Sequence, residues 1–443
     1  MRVLLVTHFF PPDGIMGVER YTRTLASALT EAGDEVRIVA RKPGEGAVET
    51  IRERLPEGTH VYRITGARTN AGAFLVGRRE LELHFSRILF ETGPDVVHFN
   101  HLLFHNPRAI ELVRRLCIPI IFSLHDFYLA CPLLHLRKKS GQLCKGPDGG
   151  RECSRTCFAD EGAENALRWG LRLLYFRKLL RLASQVICPS RYVASFFQPF
   201  GVEASRLHVV PNGLWFQPSK CLTMETPRKD DRPMLTLAFL GAVVQHKGLH
   251  VVLDALSQAK LPAVRLLIYG PCPEAGYVSK LRQRALKITG LEAVWHGPYE
   301  NADLPRLLGE TDVALIPSQC PETFSFVARE ALVCGCPVIV SRLGALAEIV
   351  REGENGYTFT HDRPQELASL LVRIHDSEAL RRHLRKGARE SPFLSLNEHA
   401  AALREIYEQA RSDGQQRQPL LEGDIAENVM LEEILAAKGF ESL

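Results

Sequence analysis

A repeated alternation of short, β-branched apolar runs with loop and helix signals constrains this chain most. Arg2 to Phe10 is the first run and ends in Pro11-Pro12-Asp13-Gly14. A helical pattern follows, with Val18, Tyr21, Thr22, Leu25 and Leu29 on one face and Gly33 closing it. Val36 to Ala40 is the next run, and Asp95–Phe99, Pro119–Leu124 and Gln185–Pro189 continue the series. Strand, loop, helix, strand in this order predicts a parallel sheet with crossover helices.

From Pro211 to Met234 the period gives way to a Pro-, Lys- and Asp-bearing stretch, which reads as an interdomain connection. A second series then begins with Leu235–Leu240, Val264–Tyr269, Ala293–His296, Val313–Ile316 and Val338–Val340, each followed by a helical pattern. At 443 residues the chain is too long for one ordinary core. The expected fold is α/β, with two Rossmann-like domains facing a central cleft, where ligand pockets concentrate. The boundaries read as 1–210 for the first domain, 211–234 for the connection, 235–410 for the second domain and 411–443 for a weakly anchored tail.

Composition removes several function classes. A net charge of +4 is small for this size and does not argue for a nucleic-acid partner. It is compatible with an anionic ligand or a peripheral membrane contact. No run of 18 apolar residues is present, so no transmembrane helix is expected, and Met1–Thr7 reads as a strand rather than a signal-peptide core. The expected location is cytoplasmic, with a peripheral position at the inner face of a membrane compatible. No G-x-G-x-x-G follows Phe10 or any later strand, which argues against an NAD dehydrogenase.

Two carboxylates carry the chemistry. Glu322 stands beside Pro321, where a loop should turn into a helix, and Glu330 lies about two turns further on at ~1.5 Å per residue. Between them a helix start would offer backbone N–H groups at Thr323, Phe324 and Ser325, which suits a phosphate. A carboxylate on each side of an anion cradle matches a nucleotide-sugar, with hydroxyls at both ends and a diphosphate between. The competing reading is a pair of solvent-facing helix glutamates. The apolar Ala331-Leu332-Val333, the Cys334-Gly335-Cys336-Pro337 stop and the strand Val338–Val340 instead put Glu330 on a helix packed against a sheet.

Further loops fall at strand ends. Gly241–Gly248 follows the first strand of the second series and carries Lys247, a point charge for a phosphate. Gly270-Pro271 and Gly297-Pro298-Tyr299 repeat the strand–Gly–loop pattern, at an edge suited to a nucleoside. Gly14 and Gly17 flank the first turn, just before Glu19, and would let a ligand or another segment approach the backbone.

With these motifs, residues 1–410 resemble the family 4 glycosyltransferases of GT-B fold. The resemblance rests on Glu322-x7-Glu330, Lys247-Gly248, Val210-Pro211-Asn212-Gly213, Gly14-x2-Gly17-x-Glu19 and the strand ending at His98. It implies retaining hexosyl transfer from a nucleoside-diphosphate sugar without a catalytic metal. By the same resemblance Glu322 lies against the donor sugar, Glu330 bonds the ribose hydroxyls and Lys247 holds the diphosphate, while Gly14 and Gly17 shape the donor and acceptor sides. One position departs from the pattern: Ala242 stands where the family usually has Arg, which removes a bidentate donor to the diphosphate. Arg342 or another cation is expected to substitute, with weaker donor binding or an inactive protein as the alternatives.

His125, at the end of the strand Ile120–Leu124, is the catalytic candidate of the first half, able to orient an acceptor hydroxyl or support the donor sugar. His98 and His101 are acceptor-side candidates; a hydrogen-bonded structural histidine is the alternative for each. Cys131, Cys144, Cys153 and Cys157 cluster in an insertion spanning 131–157. Four thiolates there would hold a structural zinc, with an Fe–S cluster, disulfides and free thiols as alternatives. Ala166 to Arg181 is basic and aromatic, suited either to an anionic membrane or to a partly buried helix with snorkelling arginines. The expected function is transfer of a sugar from a UDP- or GDP-sugar to a saccharide or lipid-linked acceptor in polysaccharide or glycoconjugate synthesis. A nucleotide-sugar epimerase of the same fold and a non-catalytic partner protein are the alternatives.

Overall fold

β1 (Arg2–Thr7) is buried from Val3 onward on both of its faces, as a strand inside a parallel sheet must be. The computed structural model to which it belongs describes residues 1–42, 44–66, 79–161, 165–215 and 234–414. β2 (Glu35–Arg41), β3 (Glu49–Arg54), β4 (His60–Thr65), β5 (Val96–Phe99), β6 (Ile120–Ser123), β7 (Gln185–Cys188) and β8 (Leu207–Val209) complete the first sheet, ordered β3-β4-β2-β1-β5-β6-β7-β8. Only the β3–β4 pair is antiparallel.

The second sheet contains β9 (Leu235–Leu240), β10 (Val264–Tyr269), β11 (Leu291–Gly297), β12 (Val313–Ile316), β13 (Val338–Ser341) and β14 (Gly356–Phe359) in the order β11-β10-β9-β12-β13-β14, all parallel. Its core is built on both faces. Leu237, Phe239, Leu266 and Ile268 pack on one side, and Ala238, Leu240, Leu267 and Tyr269 on the other.

Two compact units result: Leu214–Ser395, and Met1–Gly213 together with the last described helix, Leu396–Gly414. That helix corrects the sequence-based boundary at 410, because its buried residues complete the first unit. Tyr407 hydrogen-bonds His98 at 2.7 Å, and His399 meets Tyr21 at 2.9 Å and donates its Nδ1–H to the Pro211 carbonyl at 2.8 Å. Ala400, Leu403, Ile406, Tyr407 and Ala410 form one buried stripe at helical spacing. Amphipathic spacing identifies such a stripe but not the sheet it covers. Residues 216–233, most of the expected connection, and the tail beyond Gly414 lie outside the described residues.

Four strands, β3, β4, β8 and β14, were not legible as apolar runs. β3 reads Glu-Thr-Ile-Arg-Glu-Arg and forms the sheet edge with mostly exposed or half-buried residues. β4 contains Arg63, which is 1% exposed. Its guanidinium donates to the carbonyls of Phe10 (2.9 Å) and Pro11 and pairs with Asp13 (2.8 Å) and Glu53 (2.8 Å). A charge inside a strand breaks the apolar pattern; here it clamps the turn that leads to Gly14.

Candidate active site

In the second unit, the chemistry-bearing loops leave the carboxyl ends of β9, β12 and β13. After β9 the short turn Gln245–Lys247 ends at Gly248, with φ +79°. A Cβ there would come within 2.0 Å of the Pro317 carbonyl oxygen, so only glycine allows the β9 loop to lie this close to the end of β12. Gln319 seals the contact, its backbone N–H donating to the His246 carbonyl at 2.7 Å.

The approach brings Lys247 to Glu322. Lys247 Nζ donates to Glu322 Oε1 at 2.7 Å, and the Ser318 hydroxyl donates to the same oxygen. Glu322 is also fixed through its backbone: its carbonyl accepts from Ala345 N–H at 2.8 Å, and it bridges Gly344 in the loop after β13. Burial would raise the Glu322 pKa, but the Lys247 charge and hydrogen bonds from Lys247, Ser318 and Ser325 bring it down to about 2. Burial alone would lower the Lys247 pKa; the Glu322 carboxylate raises it. The site thus holds a stable carboxylate–ammonium pair, with the carboxylate side chain 11% exposed.

The helix after Glu322 begins at Phe326 and runs to Val333, later than the Thr323–Ser325 start expected from sequence. Thr323 and Phe324 belong to the approach loop, and Phe324 is buried with Leu214 and Val333. Ser325 is the residue before the first turn, so the N–H groups without intrahelical partners are those of Ser325 through Ala328. Glu330 is 3% exposed, which rules against a solvent-facing glutamate.

Arg342, the expected substitute for the Arg replaced by Ala242, is turned elsewhere: its Nε donates to Thr358 Oγ1 at 3.0 Å on β14. Lys247 is the cation paired with Glu322. Tyr299 stands edge-on to Tyr269 at 6.2 Å, and both line a cavity of about 490 Å³ with His296, Arg265 and Arg306.

In the first unit, the ends of β1, β5 and β6 gather a second set of polar groups. A Cβ on Gly14 would meet Glu19 Oε1 at 2.7 Å and Phe9 Cβ at 2.8 Å, so the turn closes directly over Glu19. Gly17 opens the helix Gly17–Glu31, and nothing lies within 4 Å of its Cβ position. Glu19 pairs with His8 Nε2 at 3.0 Å, and the His8 ring lies 4.4 Å from that of His101. His101 Nε2 donates to Asp126 Oδ2 at 2.6 Å while its Nδ1 accepts the Leu103 N–H at 2.9 Å, which fixes the tautomer. Burial would raise the Asp126 pKa, but His101 and the Tyr128 N–H hold it below the usual range. Asp126 therefore orients His101, not the adjacent His125.

His125 is half-buried, 4.2 Å from the Tyr21 ring centroid, and its pKa is lowered, first by burial and then by the charge of His101. A neutral imidazole follows. His98 takes the structural alternative: it is fully buried, with Nδ1 on the Tyr407 hydroxyl and Nε2 on the Ser123 hydroxyl at 2.8 Å. Both ring nitrogens are occupied, so His98 ties the last helix to the sheet.

The insertion draws its thiols together without forming a ligand set. Cys153 is pushed up to about 12 by burial and by the nearby Cys131, Cys144 and Cys157. Cys144 donates to the Gly146 carbonyl at 3.3 Å. Among the described residues, no three His, Cys, Asp or Glu side chains are arranged to hold a metal ion. The basic segment forms the helix Asn165–Leu182, and two of its cations bond the fold directly. Arg172 is buried, donates to the Tyr128 carbonyl at 2.6 Å and lies over the Phe176 ring, while Arg177 donates to the Pro199 carbonyl. Among the described residues, no helix is long and apolar enough to cross a membrane.

Sequence reasoning did not find Ser318, Gly344 or His8. Ser318 follows Pro317 directly after β12, a strand-end position that was legible in principle. Gly344 and His8 act through tertiary approach and carry no local signal.

Residues 15–214 match the family model described as Glycosyltransferase Family 4, and residues 225–391 that described as Glycosyl transferases group 1. A D-inositol 3-phosphate glycosyltransferase of Xylanimonas cellulosilytica is 31% identical over 89% of this chain and 92% of its own. A glycogen synthase of Mycobacterium tuberculosis is 24% identical over 95% of this chain and 98% of its own. Among solved structures, Anabaena HepE in complex with UDP and glucose superposes with a TM-score of 0.62 at 18% identity, covering 92% of this chain and all of that one. At that identity the likeness speaks for the fold.

Proposed function

The chain belongs to the family 4 glycosyltransferases of GT-B fold, and from that premise we propose that it transfers a hexosyl group with retention from a UDP- or GDP-sugar. The acceptor is a saccharide or a lipid-linked saccharide, in polysaccharide or glycoconjugate assembly. The observation that carries this reading is the Lys247–Glu322 pair, 2.7 Å apart, just before the start of the helix Phe326–Val333.

An ammonium has three donors. One is used on Glu322, and the others remain for oxygens of a departing diphosphate. The N–H groups of the helix start add fixed partial positive charge on the same side. Glu322, kept ionised by Lys247 and Ser318, accepts from hydroxyls of the donor sugar and opposes the positive charge that develops at the anomeric carbon. Glu330, buried one helix segment further, is the partner for the ribose hydroxyls. With Ala242 in place of a guanidinium, the leaving group depends more heavily on Lys247. In retention the acceptor attacks from the face that the diphosphate leaves, so the departing phosphate oxygen is positioned to take the acceptor proton. His125, neutral, orients a hydroxyl instead of supplying charge. HepE, whose structure holds UDP and glucose, supports a nucleotide-sugar as the donor class.

The test is a thermal-shift panel of UDP-, GDP-, ADP- and TDP-sugars on the wild type and Lys247→Ala. A donor at 100 times its dissociation constant should stabilise the wild type by roughly 2.7 kcal/mol, and the variant far less. If no nucleotide-sugar raises the melting temperature, the reading fails.

A further inference from the structure

Arg41, the last residue of β2, is 0% exposed, yet its guanidinium has a single partner. Nη2 donates to the Gly66 carbonyl at 2.6 Å. Nε and Nη1, which carry three of the five N–H groups of a guanidinium, have none. Arg63 shows how the same sheet satisfies a buried guanidinium. On β4 its nitrogens are all bonded, to the carbonyls of Phe10 and Pro11 and the carboxylates of Asp13 and Glu53. Among the described residues no Asp or Glu pairs with Arg41, and burial alone pushes its pKa down to about 10. His105 senses the Arg41 charge but supplies no countercharge. Its Nε2 donates to the Thr7 carbonyl at 2.6 Å, and burial first, with Arg41 adding to it, keeps the imidazole neutral.

A buried charge without a countercharge strongly destabilises a fold. The position of this one gives it a use. It stands at the carboxyl end of a parallel strand, the edge where open α/β sheets take ligands. Its backbone N–H donates to the His8 carbonyl at 2.9 Å, and the His8 ring pairs with Glu19. We propose that Arg41 is an anion-binding residue of the first unit, which holds a phosphate group of the acceptor through its unpartnered Nε and Nη1 donors. A phosphate monoester carries about −1.5 to −2 at neutral pH and three strong acceptor oxygens, more than a carboxylate offers these idle donors. The site stands on the surroundings of Arg41; that its phosphate belongs to the acceptor rests on the transferase reading.

Arg41→Met removes the charge and keeps much of the volume. It is compared with its parent in a Lys247→Ala background, where the proposed diphosphate contact is already gone. The full chain is melted in sodium phosphate and in sodium chloride at equal ionic strength. Phosphate should raise the melting temperature of Lys247→Ala by roughly 2–4 °C and leave the double variant unmoved. An equal phosphate effect with and without Arg41 overturns the inference. If Arg41→Met does not fold, the Nε–H signal of Arg41 in ¹⁵N NMR of the wild type decides, with Arg41→Lys as assignment control. A shift on adding phosphate upholds the site, and an unmoved signal overturns it.

Glucose 6-phosphate in solution and phosphatidic acid in phosphatidylcholine vesicles then separate a soluble acceptor from a lipid-linked one. The tighter of the two, bound in an Arg41-dependent way, names the source. Arg41-dependent binding of neither overturns the inference, because both carry the group it requires. If no nucleotide-sugar is turned over, the proposed function falls, while the phosphate melting and NMR arms still decide the site.

Discussion

Lys247 Nζ and Glu322 Oε1 lie 2.7 Å apart, joining the loop after β9 to the loop after β12. Removing the cation leaves a mostly buried carboxylate without its strongest partner. Lys247→Ala should therefore lose donor affinity and also stability without ligand. The folded pKa of Glu322 is about 2 against an ordinary 4.5, so the pair's contribution is fully present above pH 4.5 and is lost as pH falls through 2. Its size is on the order of 3 kcal/mol. Melting temperatures of wild type and Lys247→Ala should differ most at neutral pH and converge toward pH 2; a gap that stays constant with pH would remove the pair from the account.

The buried histidines of the first unit predict a second pH dependence. Burial pushes His105 down to about 3 and His399 to about 4, and both are 4% exposed or less. The unfolded chain binds these protons from pH 6.5 downward while the folded one does not, so their contribution is complete above 6.5 and erodes toward pH 3 to 4. Each costs about 1.4 kcal/mol per pH unit within that window. Unfolding free energies at pH 7.5 and pH 5 should differ by roughly 3–4 kcal/mol from these two sites together. His399→Gln should flatten the dependence by about half.

Arg63 offers a test of how the first turn is held. Its guanidinium is buried against the Phe10 and Pro11 carbonyls, Asp13 and Glu53. Arg63→Met keeps much of the volume and strips every one of these bonds, leaving Asp13 and two carbonyls without their donor. A loss of about 3–5 kcal/mol is expected in chemical denaturation. Activity should fall further than stability, because the same turn carries Gly14 over Glu19.

Parallel-sheet order was legible because buried strands are short apolar runs: β9, β10 and β12 begin and end where the sequence puts them. β3 and β4 escaped because an edge strand is polar and Arg63 interrupts the other. The last helix was assigned to the wrong unit, since its stripe from His399 to Ala410 does not encode which sheet it covers. At the candidate site, the positions of Lys247 and Glu322 on strand-end loops and of Glu330 on a packed helix were readable. His98 was not: its buried ring is satisfied by Tyr407, 309 positions away, and such a partner leaves no trace in local sequence.

The early glycines provide the sharpest separation of fold from ligand. Gly14 is crowded by the chain itself, with Glu19 Oε1 2.7 Å from where a Cβ would stand. Gly14→Ala should displace Glu19 from His8, lower the melting temperature and lower activity together; overpacking of this kind costs roughly 1–3 kcal/mol. Gly17 has nothing within 4 Å of its Cβ position and begins a helix, so Gly17→Ala should leave stability equal or slightly raised. If the space beside Gly17 belongs to a ligand, as the family resemblance implies, that variant should lose turnover by tenfold or more at unchanged melting temperature, by the steric cost of one methyl against a bound substrate. Full turnover in Gly17→Ala would mean that Gly17 serves only the turn, and would confine the role of these glycines to Gly14.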